Sequence, residues 1–523
     1  MSPLPMHKVF PSDGPPRRRG LQVAALSFAL ATATFLFVYS VQTHQLPRPL
    51  HLGDVDDAAP LSFESEQQQQ CALDVDALQA YGLSQAIHYT QLNIIAVPSE
   101  NASSSSQQLN VPFPESQVIR LDDPNRSANL PLPGCADPVK IHVPPIPPHP
   151  PNASHVIFGV ATTFDRLDGS LSAMAHWASH SNTRIFAIIE PTQSPDKIEA
   201  LVRKAASLHF TLLIRESSAE YLDRYFSLVR ALYEECLPST QWAALIDDDT
   251  FFLSLPRLLG RLSRYDANVP HYIGSLSEDL VQMNIWGYMA YGGAGIFLST
   301  PLLKQLNAPE IYDVCSTQNL SGDRRLAKCI YGHTTTKLEI ESGLHQLDLS
   351  GDASGFYECG RDQPLSVHHW KSAFAGSTTR AKTVDMVHLA AVASVGGTES
   401  LLRRFRFADG WFLANGYSVF KPGVSGAEPS LAAADFSIEK TWDTNNGGTD
   451  EAFDHTLGPL RPKDEGKFSL RLAGVVREGE GGSGLEGDIK DDDVRRVRQY
   501  YIHRADPRSG DHDTVVEVVW QRQ

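Results

Sequence analysis

The chain has 523 residues, of which 42% are hydrophobic, and its 45 basic and 61 acidic side chains give a formal net charge of -16. This length and apolar content allow a large buried core, which excludes a wholly disordered protein. The acidic balance also argues against nucleic-acid binding, since that needs a basic face to neutralise phosphates. We therefore expect a globular protein that has no nucleic-acid partner.

A long apolar segment lies near the N-terminus. Basic residues at 8 and 17–19 precede residues 21–41, which carry no charge and are rich in Leu, Val, Phe and Ala. About 20 apolar residues can span a bilayer, whereas the apolar core of a cleaved signal peptide usually has about 7–15. The basic flank predicts a cytosolic tail over residues 1–20. We interpret 21–41 as a single-pass type II signal-anchor that holds the rest of the chain in the Golgi (or ER) lumen.

Two further features are typical of a lumenal protein. N-glycosylation sequons begin at Asn101, Asn125, Asn152 and Asn319. The chain also has 6 cysteines, enough for disulfides in an oxidising compartment, although the sequence leaves their pairing open. Cys236 is the best candidate for a buried free thiol, because it ends an apolar helical pattern.

Residues 42–152 have the composition of a stem. They contain a Gln run, a Ser run and a proline-rich stretch at 144–151. Proline favours the extended polyproline conformation, so this last stretch predicts a semi-rigid spacer. Within the stem, residues 71–97 carry Leu, Ile and Tyr in a pattern that could dock on the folded body.

A strand–helix alternation begins after the spacer. Short apolar strands and amphipathic helices follow one another at 156–161, 170–179, 184–189, 196–208, 211–214, 219–236 and 242–246. This alternation predicts right-handed βαβ units, and hence an α/β domain with a mainly parallel sheet over residues 153–382. A helix from about Ser254, a strand around 271–274 and a helix from Pro301 complete it.

The tail, residues 383–523, lacks this alternation of strands and helices. Its strand-like runs are rich in aromatic and β-branched residues, and glycines alternate with carboxylates in the acidic segment 478–493. We predict a separate, mainly β C-terminal appendage with a solvated acidic loop.

An acidic triplet, Asp247, Asp248 and Asp249, directly follows the fourth predicted strand. Open α/β sheets bind ligands at this carboxyl edge, and Mn²⁺ or Mg²⁺ is usually held by one or two carboxylates together with substrate phosphates. Residues two apart in an extended turn face the same side, so Asp247 and Asp249 are the predicted metal pair. An isolated acidic turn is more often merely solvated, and a structural Ca²⁺ loop would need further ligands.

Six segments share the order and approximate spacing of motifs in one known family. They are 244–252 (ALIDDDTFF), 272–275 (YIGS), 291–299 (YGGAGIFLS), 321–323 (SGD), 364–370 (PLSVHHW) and, more weakly, 409–417 (DGWFLANGY). Together they resemble the Fringe-like β-1,3-glycosyltransferases, glycosyltransferase family 31. The likeness covers about 156–372.

The resemblance implies a GT-A-like nucleotide-sugar-binding domain and a metal-dependent, inverting transferase. Such an enzyme moves a hexosyl or N-acetylhexosaminyl group from a UDP-sugar to a hydroxyl of a glycan, glycoprotein or glycolipid, here with a suspected β-1,3 linkage. Inversion needs a carboxylate to take the acceptor's proton, and Asp323 matches the family's base position. Helix capping is its alternative role. The family often has a second acid beside the base, where this chain has Gly322 and Arg324.

The resemblance also implies the rest of the site. His368 matches a metal-ligand histidine, and an imidazole beside carboxylates suits Mn²⁺ better than Mg²⁺. His369 is the alternative ligand, because neighbours on a strand face opposite ways. Thr162, Thr163 and Arg166 follow the first strand, where folds of this topology receive the uracil and ribose. Together with Asp247, Asp248, Gly292 and Gly293 they are the expected nucleotide-sugar contacts. Trp286 and Tyr291 flank the glycines and are either a stacking wall for a pyranose or core residues.

A catalytically silent relative, serving as a lumenal chaperone or glycan-binding module, is the alternative function. Such a relative would be expected to lose the acidic triplet or the base. Both are present in this chain, which favours the enzyme.

Overall fold

The structure is a computed structural model that describes most of the chain after residue 71. The described residues are 72–102, 106–122, 129–131, 136–147, 149–192, 194–320, 322–370, 385–423, 437–443, 451, 453–479, 482–484 and 493–523. All of them belong to one compact unit, Phe63–Gln523. The predicted cytosolic tail and transmembrane segment, 1–41, lie outside the described residues. Among the described residues, no helix has the length and apolar character needed to cross a membrane.

Strands make up much of the described chain. In order they are β1 (Ala72–Asp74), β2 (Ala86–Pro98), β3 (Ser106–Gln108), β4 (Gln117–Arg120), β5 (Asn129–Pro131), β6 (Val139–Val143), β7 (Val156–Thr162), β8 (Arg184–Ile189), β9 (Thr211–Glu216), β10 (Trp242–Ile246), β11 (Phe251–Phe252), β12 (Tyr272–Gly274), β13 (Ile296–Ser299), β14 (Leu338–Ile340), β15 (Ser350–Gly351), β16 (Ser366–Val367), β17 (Arg404–Arg406), β18 (Phe412–Ala414), β19 (Ser418–Lys421), β20 (Ile438–Glu439), β21 (Trp442–Asp443), β22 (Leu460–Arg461), β23 (Phe468–Gly479), β24 (Gly482–Gly484), β25 (Val494–His503) and β26 (Asp513–Arg522).

The α-helices lie mainly between the strands of the first half. In order they are α1 (Val75–Gln79), α2 (Phe164–Asp168), α3 (Leu171–Ala178), α4 (Pro195–Ser207), α5 (Tyr221–Glu234), α6 (Leu255–Leu262), α7 (Leu280–Trp286), α8 (Thr300–Leu306), α9 (Pro309–Ser316), α10 (Gly322–His333), α11 (Ser354–Tyr357), α12 (Met386–Gly396) and α13 (Asp454–Leu457). One-turn 3₁₀ helices add Gly292–Ala294 and Thr398–Ser400.

A seven-stranded sheet of the described residues contains the predicted βαβ units. Its order is β14-β12-β13-β10-β7-β8-β9, and β13 alone runs antiparallel to its neighbours. The four strands predicted from the alternation are β7 to β10. The prediction of an α/β domain with a mainly parallel sheet is therefore confirmed.

Helices cover both faces of this sheet and form two separate cores. Helices α2, α3, α4 and α6 pack on one face, and α5, α8, α9 and α10 on the other. Right-handed crossovers that step in opposite directions place their helices on opposite faces. The chain steps outward from β7 to β9 and then returns through α5 to β10, on the other side of β7. The topological switch point therefore lies between β7 and β10, where α/β sheets bind ligands.

A second sheet joins both ends of the described chain. Its main path is β3-β17-β18-β19-β23-β25-β26-β2-β4, and β2 pairs in parallel with β26 from Ile87 to Ala96. Strands from the predicted stem and from the predicted appendage thus share one sheet. The sequence predicted a stem over 42–152 and a separate appendage over 383–523. The strands of these two regions that lie in the second sheet are instead parts of one structure. The paired residues of β2 and β26 are more than 400 positions apart in the sequence, and local sequence patterns do not reveal a pairing over that distance.

One disulfide of the described residues lies beside the first sheet. Cys315 at the end of α9 is bonded to Cys329 in α10, across a separation of 14 residues. Cys236 is a free thiol, as predicted, although it is only half-buried, and Cys359 is also free. Cys71 and Cys135 lie outside the described residues.

Candidate active site

The acidic triplet follows β10 at the switch point, and β7 ends beside it. Thr162, the last residue of β7, donates its hydroxyl hydrogen to the carboxylate of Asp248. Asp248 and Asp249 are buried, whereas the side chain of Asp247 is 27% exposed. The strand ends therefore bring together residues that are 86 positions apart in the chain.

Asp248 holds an arginine at this edge. The guanidinium of Arg166 donates two hydrogen bonds to the two carboxylate oxygens, at 2.7 Å from Nε and 2.5 Å from Nη2. Thr163 caps α2 by accepting the backbone N–H of Arg166 at 3.3 Å. The hydrogen bond to Asp248 raises the pKa of Arg166, although burial lowers it. Asp248 therefore positions the cation of Arg166 at the ligand-binding edge, whereas the sequence predicted both residues only as nucleotide-sugar contacts.

His368 faces both outer carboxylates of the triplet. Its Nε2 lies 3.0 Å from Asp249 Oδ1 and 3.4 Å from Asp247 Oδ2. Its Nδ1 lies 3.1 Å from the carbonyl oxygen of Gln346. A carbonyl oxygen only accepts hydrogen bonds, so we assign a proton to Nδ1, which fixes the ring with Nε2 toward the carboxylates.

This donor set fits a divalent metal ion. Two neighbouring ligands of an octahedral ion, each at about 2.1 Å, stand about 3 Å apart, which is the separation of His368 Nε2 from Asp249 Oδ1. Burial lowers the pKa of His368, but the charges of Asp249 and Asp247 raise it well above its usual value. The two carboxylates thus attract a positive charge at His368 Nε2, which a proton or a metal ion can supply.

His369 also lies beside Asp249, contrary to the alternation argument. Ligand atoms of Asp249, His368 and His369 all lie within 4.8 Å of one another. Strand β16 ends at Val367, and His369 has a φ of 57°, so the strand geometry that would separate the two rings no longer applies. His369 Nε2 lies 3.2 Å from Asp348 Oδ1. His368 contacts both Asp247 and Asp249 through its Nε2.

The two predicted glycines are packed against protein side chains. A Cβ on Gly293 would lie 2.2 Å from the ring of His368, and one on Gly292 would lie 2.3 Å from the hydroxyl oxygen of Tyr225. Thr250 fixes this turn by donating its hydroxyl hydrogen to the carbonyl of Gly293 at 2.9 Å. Glycine is therefore required here for the approach of His368 and Tyr225, a reason that differs from the predicted approach of a sugar.

Asp323 lies in the first turn of α10, beside the glycine turn that packs against His368. Its Oδ1 accepts the backbone N–H of Arg324 at 2.8 Å, and its Oδ2 accepts that of Gly292 at 3.4 Å. Burial and the charge of Asp247 raise the pKa of Asp323 to about 6. A carboxylate with this pKa is mostly ionised at neutral pH and is a stronger base than an exposed one, which suits proton abstraction.

Trp286 and Tyr291, which the sequence left as either stacking or core residues, differ in their burial. Tyr291 is 4% exposed and belongs to the core, whereas Trp286 is 45% exposed at the end of α7. Tyr291 donates its hydroxyl hydrogen to the carbonyl of Gly287 at 3.2 Å, which ties the segment after Trp286 to the glycine turn. Ile285 and Tyr288 are also exposed, so Trp286 lies in an apolar surface patch.

Sequence reasoning missed Tyr225 and Gln346. Tyr225 occupies a core position of α5 by its helical spacing, and Gln346 lies in an irregular segment without a motif. The backbone carbonyl of Gln346 orients His368, and its side chain accepts the N–H of Ala294 at 3.0 Å. No local signal in the sequence distinguishes these residues from ordinary core and loop positions.

Comparisons with known proteins give one family match. The model of a family described as "Protein of unknown function, DUF604" matches residues 282–405. This range includes Trp286, Gly292, Asp323 and His368, but not the acidic triplet. No curated protein matches the sequence.

The similar solved structures include several glycosyltransferases. Mouse xyloside xylosyltransferase 1 in its apo form is 11% identical, with a TM-score of 0.25 over 35% of this chain and 84% of that one. Glycosyltransferase GlyE of Streptococcus pneumoniae TIGR4 is 10% identical, with a TM-score of 0.29 over 44% and 59%. Mannosyltransferase PcManGT of Pyrobaculum calidifontis, in complex with GDP-Man and Mn²⁺, is 10% identical, with a TM-score of 0.24 over 44% and 68%.

Proposed function

We propose that this protein is a metal-dependent, inverting glycosyltransferase that moves a sugar from a UDP-sugar to a glycan hydroxyl. One observation carries the proposal, namely that Asp247, Asp249 and His368 converge on one point at the topological switch of the parallel sheet. Nucleotides bind at such switch points, and mixed carboxylate and imidazole ligands suit Mn²⁺.

The acidic triplet and its contact residues would bind the donor substrate. Asp249 and His368 would hold the Mn²⁺, with Asp247 beside them. When bound, the ion would neutralise the diphosphate as it leaves the sugar. Arg166, held by Asp248, adds a second positive charge at the same edge and would bind phosphate oxygens. Thr162 supports Asp248, and Thr163 holds the helix end that carries Arg166.

Asp323 is the proposed general base on the acceptor side. It takes the proton of the acceptor hydroxyl as that oxygen bonds to the anomeric carbon of the sugar. The bond from that carbon to the diphosphate breaks on the opposite face, and the electron pair leaves with the UDP. The raised pKa of Asp323 supports this role. The β-1,3 linkage rests on the family resemblance.

The proposed location is the lumen of the Golgi (or ER), with a type II anchor at 21–41. The disulfide between Cys315 and Cys329 supports an oxidising compartment. Asn101, Asn152 and Asn319 are exposed, so their side chains are accessible to a glycan-transferring enzyme.

A donor screen tests the proposed activity. We expect the purified full-length protein with Mn²⁺ to release UDP from at least one of UDP-glucose, UDP-galactose, UDP-N-acetylglucosamine and UDP-N-acetylgalactosamine. EDTA should abolish this release, and excess Mn²⁺ should restore it, because the carboxylates and His368 cannot bind the diphosphate without a cation. Release that is insensitive to EDTA would exclude the metal role. No release from any donor would favour the chaperone or glycan-binding alternative.

The exposed Trp286 tests the acceptor side. Replacing Trp286 with Ala should raise the KM for the acceptor by about tenfold, because a pyranose would lose a stacking surface, while the KM for the donor stays unchanged. Leu237→Ala is a matched control. Leu237 is 46% exposed and Trp286 is 45% exposed, but Leu237 lies before the start of β10, at the opposite end of that strand from the acidic triplet. An unchanged acceptor KM in Trp286→Ala would contradict this role.

A further inference from the structure

A buried hydroxyl group lies in the candidate site without a hydrogen-bond partner among the described residues. Tyr225 is 4% exposed, and its hydroxyl is buried with no partner. The same hydroxyl faces Gly292, where an added Cβ would lie only 2.3 Å from it. The backbone N–H of Gly292 in turn points to Asp323 Oδ2 at 3.4 Å. The hydroxyl therefore lies beside the residue that adjoins the proposed base.

Two glycines fix the position of the Tyr225 ring. A Cβ on Gly322 would lie 2.3 Å from Tyr225 Cδ1, so the ring passes against the start of α10 on one side and reaches Gly292 with its hydroxyl. Any larger residue at either glycine would displace the ring. The hydroxyl is therefore held in place before any ligand binds, as a binding group needs to be.

Burial and nearby negative charges keep this hydroxyl protonated. Burial raises the pKa of Tyr225 well above its usual value, and the charges of Asp247 and Asp323 raise it further. The phenol thus stays protonated across the physiological pH range. The hydroxyl faces Gly292, whose backbone N–H points to Asp323, and the next residue, Gly293, packs against the ring of His368. It therefore lies at the turn that joins the acceptor half of the proposed site to the donor half.

We propose that the Tyr225 hydroxyl is a substrate-binding group that hydrogen-bonds a sugar hydroxyl at the point where donor and acceptor meet. The assignment rests on the proposed function, because it takes a nucleotide sugar or a glycan as the occupant. A sugar hydroxyl can accept the phenolic hydrogen and still donate its own to a carboxylate, so it matches a phenol that lies at Gly292, next to the carboxylate of Asp323.

The energetics of the free protein distinguish this role from a structural one. A buried hydroxyl with no protein partner destabilises the folded state, and replacing it by a hydrogen removes that penalty. If Tyr225 served stability alone, phenylalanine would be at least as good. A tyrosine that is unfavourable for folding is instead typical of a site where the hydroxyl serves a ligand.

Tyr225→Phe tests the assignment with both binding and stability measurements. In Mn²⁺, the Kd of the most active UDP-sugar from the screen and the Kd of UDP alone are measured by calorimetry. If the bonded hydroxyl belongs to the donor, the Kd of the UDP-sugar should rise by about tenfold while that of UDP stays the same. If it belongs to the acceptor, both Kd values should stay the same and the KM for the acceptor should rise by a similar factor. The unfolding midpoint should be unchanged or higher.

Tyr500→Phe is the matched control. Tyr500 is fully buried in β25, and among the described residues its hydroxyl also has no hydrogen-bond partner. Tyr500 belongs to the second sheet, away from the candidate site. Its replacement should leave both Kd values and the acceptor KM unchanged. The assignment is overturned if Tyr225→Phe alters none of these three constants while the wild-type protein is active. A wild-type protein that neither binds nor cleaves any of the four donors would refute the proposed function itself, and the assignment with it.

Discussion

Replacing Asp249 with Asn should lower kcat/KM by at least about a thousandfold, a loss of roughly 4 kcal/mol of transition-state stabilisation. Asp249 is buried and contacts His368 Nε2 at 3.0 Å, so the change removes a negatively charged ligand while keeping the shape of the side chain. Steady-state release of UDP measures the effect. Titration with Mn²⁺ in the presence of UDP should show weaker binding of the ion.

The control for Asp249→Asn is Asp313→Asn. Asp313 is 72% exposed on α9 and pairs with Arg230 at 3.6 Å, so it has no role at the switch point. This variant should retain wild-type activity and Mn²⁺ affinity. Full activity in Asp249→Asn would show that the acidic triplet is not a metal site.

Asp323→Asn should lower kcat by between about 10² and 10⁴, because an amide cannot take the proton of the acceptor hydroxyl. Asparagine keeps the size of the side chain, and its one amide oxygen can still accept the N–H of Arg324, so that only the longer hydrogen bond from Gly292 is lost. The Kd for the UDP-sugar should therefore change little. Transfer assays and calorimetry measure the two quantities. Loss of donor binding together with turnover would indicate a structural role for Asp323.

The same variant should be more stable than the wild-type protein when metal is removed. Folding raises the pKa of Asp323 from 3.8 to about 6, since burial and Asp247 disfavour the charged form. The stability that this group contributes is therefore fully present below pH 3.8 and is lost as the pH rises through 6. The amide that replaces the carboxyl group carries no charge at any of these pH values. The gain in unfolding midpoint should therefore appear above about pH 6 and vanish near pH 4. A gain that is independent of pH would contradict the assigned pKa.

The sequence by itself determined the parallel strands β7 to β10 of the first sheet and the position of the acidic triplet. The apolar runs that became β7, β8 and β10 are buried on both faces, and a strand of that kind is identifiable without knowing its neighbours. Because β10 ends at Ile246, the position of Asp247, Asp248 and Asp249 at the carboxyl edge followed from local pattern alone. The motif order that resembles family 31 then pointed to Asp323 and His368, which local pattern would have left among ordinary residues.

Only the tertiary structure decided how these residues are used. Asp248 contacts Arg166 and Thr162, the two glycines accommodate His368 and Tyr225, and both histidines lie beside Asp249 because β16 ends before them. The second sheet likewise depends on the pairing of β2 with β26, near opposite ends of the chain. The physical reason is the same in each case. The periodicity of a helix or strand depends on a short run of adjacent residues. A contact between distant segments depends on how the whole chain packs, and no local pattern encodes that packing.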